Sequence, residues 1–290
     1  MKFDIYNLDR RLIYILVLLA LILPLVLGVV VKPARMMAAE RLYQVIEDLH
    51  PSAGDIAVVA LDFGPNSMAE NKPQAEAVVE HLLRRRIPFA MYSQYILAQT
   101  FLDSVPSEVA KRLMRENPSE RWEYGKDWVN LGLKLNPAVM IQAMAESEDL
   151  VKYFKKDDHG NNLADLPAFN KVHNLENVKL FAQFTSLTGT FESYIQFLKS
   201  EKFRPLFVHG CTSITIPKAY TYLDSGQIVG LLEGVAGAAW YSELLRKQYP
   251  FRGKDDALTI NTGLGVAQLL IILLVVFGNV MAFIQARRQG

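Results

Sequence analysis

The stretch Asp55-Ile56-Ala57-Val58-Val59-Ala60-Leu61-Asp62-Phe63 decides the fold. Apolar residues run without interruption between two aspartates. Gly54 precedes the run, and Gly64-Pro65-Asn66 breaks it. A strand with one wet face would alternate polar and apolar residues. This one does not, so both of its faces are expected to be covered, as in a parallel sheet.

The pattern repeats downstream. Pro73 to Arg86 predicts a helix with Ala75, Val78, Val79, Leu82 and Leu83 as its apolar stripe. Arg84, Arg85 and Arg86 fall in its last turn, where cations suit the helix dipole. Ile87 to Tyr92 predicts a second strand and Pro106 to Glu116 a second helix. Further strands are expected at Asp127 to Leu133, Val178 to Phe184 and Pro205 to Val208. Helices are expected from Pro137 to Met144 and from Thr190 to Lys199. Asp149 to Asn177 is polar and predicts a long connection. Strands alternating with helices imply right-handed crossovers. The expected fold is α/β, with a mostly parallel sheet of about five strands, Rossmann-like or flavodoxin-like.

Two charge-free segments flank this domain. Leu12 to Val31 is 20 residues long and Leu264 to Ile284 is 21. Either can cross a hydrocarbon core of about 30 Å as a helix. Met37-Ala38-Ala39 is a poor signal-cleavage site, which favours an uncleaved anchor. The predicted organisation is a cytoplasmic tail (1–11), a transmembrane helix (12–31), a juxtamembrane helix and linker (32–54), an extracytoplasmic α/β domain (55–263), a second transmembrane helix (264–284) and a tail (285–290). Basic residues do not decide orientation by number. Lys2, Arg10, Arg11, Arg287 and Arg288 in the tails face Lys32, Arg35, Arg41, Arg252 and Lys254 on the inner flanks. Short tails govern orientation more than long loops, so both termini are expected inside and the domain outside the inner membrane.

Composition narrows function. Hydrophobic residues make up 51% of the chain, and a net charge of +1 disfavours nucleic-acid binding through a global basic field. A single cysteine excludes an internal disulfide and a cysteine-cluster zinc site. The five histidines show no metal-ligand spacing, so no metal is expected. No phosphate-binding glycine motif follows the first strand, and no cofactor is expected. Asp157-Asp158-His159-Gly160-Asn161-Asn162 lacks the downstream Glu of a calcium loop and predicts an Asx-rich turn.

Small residues mark association surfaces. Gly230, Gly234 and Ala238 are four apart and predict one face of a helix over 226–241, open to close packing. Gln268 and Asn279 lie within the second apolar segment, near Gly265 and Gly278. Amides in lipid seek partners on other helices.

At Tyr124-Gly-Lys-Asp-Trp-Val-Asn-Leu-Gly132, and from Gly226-Gln227 through Gly234 to Gly237-Ala-Ala239, the chain resembles a prokaryotic group without an assigned activity. Its members have a terminal span at each end and an α/β middle. The resemblance covers most of the chain. It implies the same architecture and transfers no catalytic residue.

Ligands of open parallel sheets bind beyond the carboxyl ends of the strands. That rule nominates Asp62, Ser93, Gln94, Lys134, Thr185 and Ser186 as ligand-binding candidates, and His209 with Cys211 as a base and nucleophile pair. The leading expectation is a non-enzymatic subunit of a membrane assembly. Its domain would bind other membrane proteins or copies of itself, anchored in the lipid bilayer. An extracytoplasmic ligand sensor is the alternative, with a Cys/Ser hydrolase behind it.

Overall fold

The computed structural model describes residues 10–199, 203–250, 252 and 255–289. The expected N-terminal tail lies outside them apart from Arg10 and Arg11, as does Lys254. The chain forms two compact units, residues 34–253 and residues 1–33 with 254–290.

The larger unit is an α/β domain with six parallel strands: β1 (Ile56–Asp62), β2 (Phe89–Ser93), β3 (Trp128–Leu133), β4 (Val178–Thr185), β5 (Leu206–Cys211) and β6 (Gly230–Glu233). Their order is β3-β2-β1-β4-β5-β6. All seven residues of β1 are buried, which its unbroken apolar run requires. The strand order reverses between β1 and β4, the switch point of a Rossmann-like sheet.

The helices of this unit are α2 (Met37–Glu47), α3 (Met68–Arg84), α4 (Gln99–Glu116), α5 (Pro137–Glu146), α6 (Leu150–Phe154), α7 (Thr188–Phe197), α8 (Ile216–Asp224) and α9 (Gly234–Gln248). One core holds Leu42, Val59, Val78, Leu82, Leu102, Leu180 and Tyr241, joining α2, α3, α4 and α9 to one sheet face. The other holds Val58, Tyr92, Ile141, Phe181, Phe191 and Leu231 beneath α5, α7 and α8.

Two buried polar knots join the helices of the first face. His81 meets Glu47 Oε1 through Nε2 at 2.7 Å and the Tyr241 hydroxyl through Nδ1 at 2.5 Å. Burial pushes this imidazole down to about 4, against the pull of Glu47. One helical step away, Glu80 accepts from Arg84 at 2.8 Å, from Arg112 at 2.7 Å and twice from Arg252 at 2.7 Å. These contacts tie α3 to α4 and to the segment after α9.

Two expectations are corrected here. The sheet has a sixth strand, and it occupies part of the presumed 226–241 helix. Gly230 is therefore a strand residue set against Leu42 of α2, while Ala238 is buried in α9. Gly234 opens α9 directly after the strand, at φ +55°. A Cβ there would fall 2.6 Å from Ser213 Oγ and 2.7 Å from Glu70 Oε2. The three small residues share no helical face. Their closeness serves the internal packing of the domain.

The first apolar helix is also shorter than its charge-free stretch. Helix α1 runs Arg10–Leu27. Gly28 takes φ +63°, and the Val29 N–H reaches back to the Pro24 carbonyl at 3.1 Å. That is a left-handed helix stop. Residues 29–36 are not helical, so the first span does not continue into α2.

In the smaller unit α1 packs along α10 (Asp256–Gln289). A Cβ on Gly263 would lie 2.9 Å from the Leu21 carbonyl oxygen, so the two backbones approach closely. The Val31 N–H donates to Thr262 Oγ1 at 3.0 Å. Gly263, Ala267, Leu270 and Leu274 are the more covered positions along this part of α10. Arg10–Leu27 and Asp256–Arg287 are long and apolar enough to cross a membrane, by length and composition.

Candidate functional site

The carboxyl ends of the central strands carry a buried polar layer on the face beneath α7 and α8. Strand register builds it in two rows. Asp62 is paired with Thr185, Thr185 with Cys211, and Cys211 with Glu233. One step below, Ala60 pairs with both Tyr92 and Gln183, and Gln183 pairs with His209. Side chains on one face repeat every second residue, so the rows stack.

Asp62 is the centre of this layer and is fully buried. Its Oδ1 accepts from the Gln94 backbone N–H at 2.8 Å and from Ser93 Oγ at 3.3 Å. Its Oδ2 accepts from Gln183 Nε2 at 2.8 Å and from the Tyr194 hydroxyl at 3.2 Å. Tyr92 donates to Tyr194 at 2.7 Å. Burial raises the Asp62 carboxyl above its ordinary range, although the four donors resist that shift.

The neighbouring hydroxyls are also occupied. Ser93 Oγ donates to the Leu61 carbonyl at 2.6 Å, and Thr185 Oγ1 donates to the Asp62 carbonyl at 2.8 Å. On the opposite sheet face, Gln74 Nε2 donates to the carbonyls of Cys211, Leu232 and Gly234 at 2.8, 3.1 and 2.9 Å. Glu70 accepts from the Ser213 N–H at 2.8 Å and its hydroxyl at 2.5 Å. The N-terminal half of α3 thus closes the ends of β5 and β6.

The nominated residues divide accordingly. Asp62, Ser93, Gln94 and Thr185 converge. Ser186 follows on the half-exposed β4–α7 turn. The Lys134 ammonium instead folds back to the Leu131 carbonyl and lies 5.8 Å over the Phe154 ring, with burial lowering its pKa. Gln183 and Tyr194 join the layer although the strand-end rule does not select them. Gln183 was visible as the one neutral amide in an otherwise apolar strand segment, Leu180-Phe-Ala-Gln-Phe184. Tyr194 carried no such signal.

Burial works against His209 and Cys211 as a base and nucleophile pair. The His209 ring stacks on Phe191 with centroids 4.1 Å apart, and burial pushes it down to about 3. Burial pushes the Cys211 thiol up to about 12, against donors from Thr215 and Gly234. A thiol held protonated in a core is a small hydrophobe, since thiolate is the nucleophilic form. Cys211→Ala should therefore cost about 1 kcal/mol, and a larger residue more. Urea midpoints of the two variants test this. A stable Cys211→Ala protein that loses association or ligand binding would contradict a packing role.

Glu233 completes the layer at β6. Its Oε1 accepts from the Tyr220 hydroxyl at 2.7 Å, and burial raises its pKa. Among the described residues no three His, Cys, Asp or Glu side chains gather to hold a metal ion. What the arrangement does chemically is hold two carboxyls and their donors rigidly beneath α7 and α8. No protein-family model, curated protein or solved structure matches the chain.

Proposed function

We propose that this chain is a non-enzymatic subunit of a membrane protein assembly. In this reading α1 and α10 span the inner membrane, both termini are cytoplasmic, and the α/β domain lies outside. The assembly forms with other membrane proteins or with further copies of the chain.

The observation that carries the reading is the placement of two amides on α10. At 3.6 residues per turn, Gln268 and Asn279 lie about 130–150° round the helix from the Gly263, Ala267, Leu270 and Leu274 stripe. Both are exposed, and neither side chain has a hydrogen bond to any described residue. A polar side chain facing hydrocarbon gains by finding a partner on another helix, a contact worth about 0.6–2 kcal/mol. A second support is the sheet's carboxyl edge. Asp62, Ser93 and Thr185 spend their hydrogen bonds on one another, on Gln183 and Tyr194, and on neighbouring backbone, as a structural layer does.

Asn279→Leu and Gln268→Leu keep the segment apolar and remove only the amides. Each should weaken the assembly about 3- to 30-fold without unfolding the domain. Light scattering and cross-linking in mild detergent read the size, with mass identification of whatever co-purifies. A protein that stays monomeric in several detergents and cross-links to nothing in cells ends this proposal. Orientation is tested separately with Phe3→Cys, Lys111→Cys and Gln289→Cys, each made with Cys211→Ser. In intact spheroplasts an impermeant thiol reagent should label position 111 and spare the other two. The reverse pattern places the domain inside.

The ligand-sensor reading keeps one specific support. Gln183 Oε1 and His209 Nδ1 are buried and have no hydrogen-bond partner among the described residues. Such groups are costly unless something else satisfies them.

A further inference from the structure

Among the described residues, most of the large apolar side chains that the α/β domain leaves exposed stand at the carboxyl edge of its sheet. Every strand from β1 to β5 leads into at least one of them: Met68 after β1, Ile96 and Leu97 after β2, Leu135 after β3, Leu187 after β4 and Ile214 after β5. Their exposures run from 40% to 90%, the highest at Ile214. Parallel crossovers bring these turns side by side in the order β3-β2-β1-β4-β5. At about 4.8 Å between strands the row is roughly 20 Å long. The turns also lean on one another, since a Cβ on Gly64 would lie 3.2 Å from Leu97 Cβ.

Apolar exposure alone does not name an occupant; charge narrows the choice. The turns 63–67, 94–98, 134–136, 186–187 and 212–215 hold a single charged residue, in a chain where 21% are charged. That residue is Lys134, whose ammonium folds back to the Leu131 carbonyl. Charges at the rim are spent inside the domain: Glu192 on Lys218 at 2.6 Å, Asp103 on His159 at 3.0 Å, and Glu70 on the Ser213 N–H at 2.8 Å. A lipid surface is held by outward Lys and Arg beside an apolar face, whereas the one lysine of these turns points back. A partner of opposite charge has nothing to recognise here. An apolar, charge-depleted centre within a polar rim is the composition of a protein interface. Such a face is complementary to itself, and twofold contact between identical patches is the commonest way in which soluble chains pair. The six residues leave on the order of 600 Å² open, the upper end for an ordinary monomer and most of the about 800 Å² per partner of a standard interface.

We propose that two copies of this chain pair through the carboxyl edges of their sheets, the row from Leu135 to Ile214 of one copy lying across that of the other. The inference rests on the self-association within the reading above and gives it a surface that α10 does not supply. The edge and the α10 amides are separate contacts, so each can be broken alone. A twofold axis passes near the middle of the row, which is where β1 and β4 place Met68 and Leu187.

The test is sedimentation velocity of the full chain in density-matched mild detergent, over a dilution series that reads the pairing constant. Ile214→Asp and Leu135→Asp put a carboxylate into the contact, and each should weaken pairing at least about tenfold. Both side chains are exposed in the single chain, so urea midpoints should stay where they are. Met37→Asp is the control: Met37 is also exposed but belongs to α2 and to none of these turns, and its variant should pair normally. Leu187→Cys, made with Cys211→Ser, should give an adduct of twice the chain mass with a bifunctional maleimide. An adduct of another mass assigns the edge to a different protein. A monomer whose dye-labelled position 187 responds to vesicles of phosphatidylglycerol and phosphatidylethanolamine assigns it to the bilayer. Either result overturns the proposal, as does a chain monomeric at every concentration or a pair indifferent to Ile214→Asp and Leu135→Asp. Edge variants without effect, beside an Asn279→Leu that reduces the size, remove this inference alone. The opposite pattern removes the α10 contact and keeps the edge.

Discussion

Glu80→Gln should destabilise the α/β domain by about 3–5 kcal/mol. The carboxylate is fully buried in α3 and is the shared acceptor of Arg84, Arg112 and Arg252. Arg252 itself is only 1% exposed, so its charge cannot turn to water when Glu80 is neutralised. Breaking one side of a buried pair leaves the other charge uncompensated, which is the expensive case. Removing Arg252 as well, as in Glu80→Leu with Arg252→Met, should recover the share of the loss that comes from that pair, while Arg112 keeps its own share.

The same network gives a pH signature. Burial alone would raise the Glu80 carboxyl, but Arg252, Arg112 and Arg84 overcome it and hold it at about 2. Its folded pKa lies below its unfolded one. The stabilisation is therefore present above the ordinary carboxylate range near 4.3 and is lost as pH falls toward 2, about 3 kcal/mol in all. Urea midpoints across that window should fall more steeply for the unmodified chain than for Glu80→Gln. Parallel curves, or an unchanged midpoint at neutral pH, would show that the arginines are satisfied some other way.

The parts of this architecture that were legible in the sequence are those with one dominant physical signal. Strand β1 announced itself because burial on both faces forces an unbroken apolar run. The strand-end rule found Asp62, Ser93, Gln94 and Thr185 because parallel crossovers bring successive carboxyl ends to one edge. Strand β6 was hidden for the opposite reason. It is four residues long, and its Gly230-Leu-Leu-Glu233 sequence sits inside a run of small residues spaced like a helix face. Pairing with β5, together with the close approach of α2 to Gly230, makes that segment a strand. The end of α1 was misplaced because absence of charge marks solubility in lipid, whereas Gly28 ends the helix through backbone conformation. Gln183, Tyr194 and Gln74 belong to the buried polar layers through contacts more than a hundred residues away in sequence, which local pattern cannot report.

The second large effect is expected at Asp62, with the opposite sign of pH dependence. Asp62→Leu removes the acceptor of the Gln94 N–H, the Gln183 amide and the Tyr194 hydroxyl at once. Buried donors left unpaired cost about 1–3 kcal/mol each before relaxation, so a loss of about 3–5 kcal/mol is expected. Asp62→Asn should cost about 1–3 kcal/mol, less than the leucine variant, because it keeps one acceptor. Its carbonyl oxygen can keep the Gln94 N–H. Its new NH₂ needs an acceptor, and Gln183 Oε1 is buried without a partner among the described residues. A half-turn of the Gln183 amide supplies that acceptor. Burial raises the Asp62 carboxyl, so the folded chain holds this proton more tightly than the unfolded one. The contribution is favourable below the ordinary carboxylate range and is lost as pH rises through the raised value. Asp62→Asn should therefore gain on the unmodified chain as pH climbs from about 4 toward neutrality. Urea midpoints of the three proteins over that range decide it. An asparagine variant as unstable as the leucine one would mean that the carboxylate charge itself holds the layer together. An asparagine variant that folds normally but fails to assemble would move Asp62 from architecture to function.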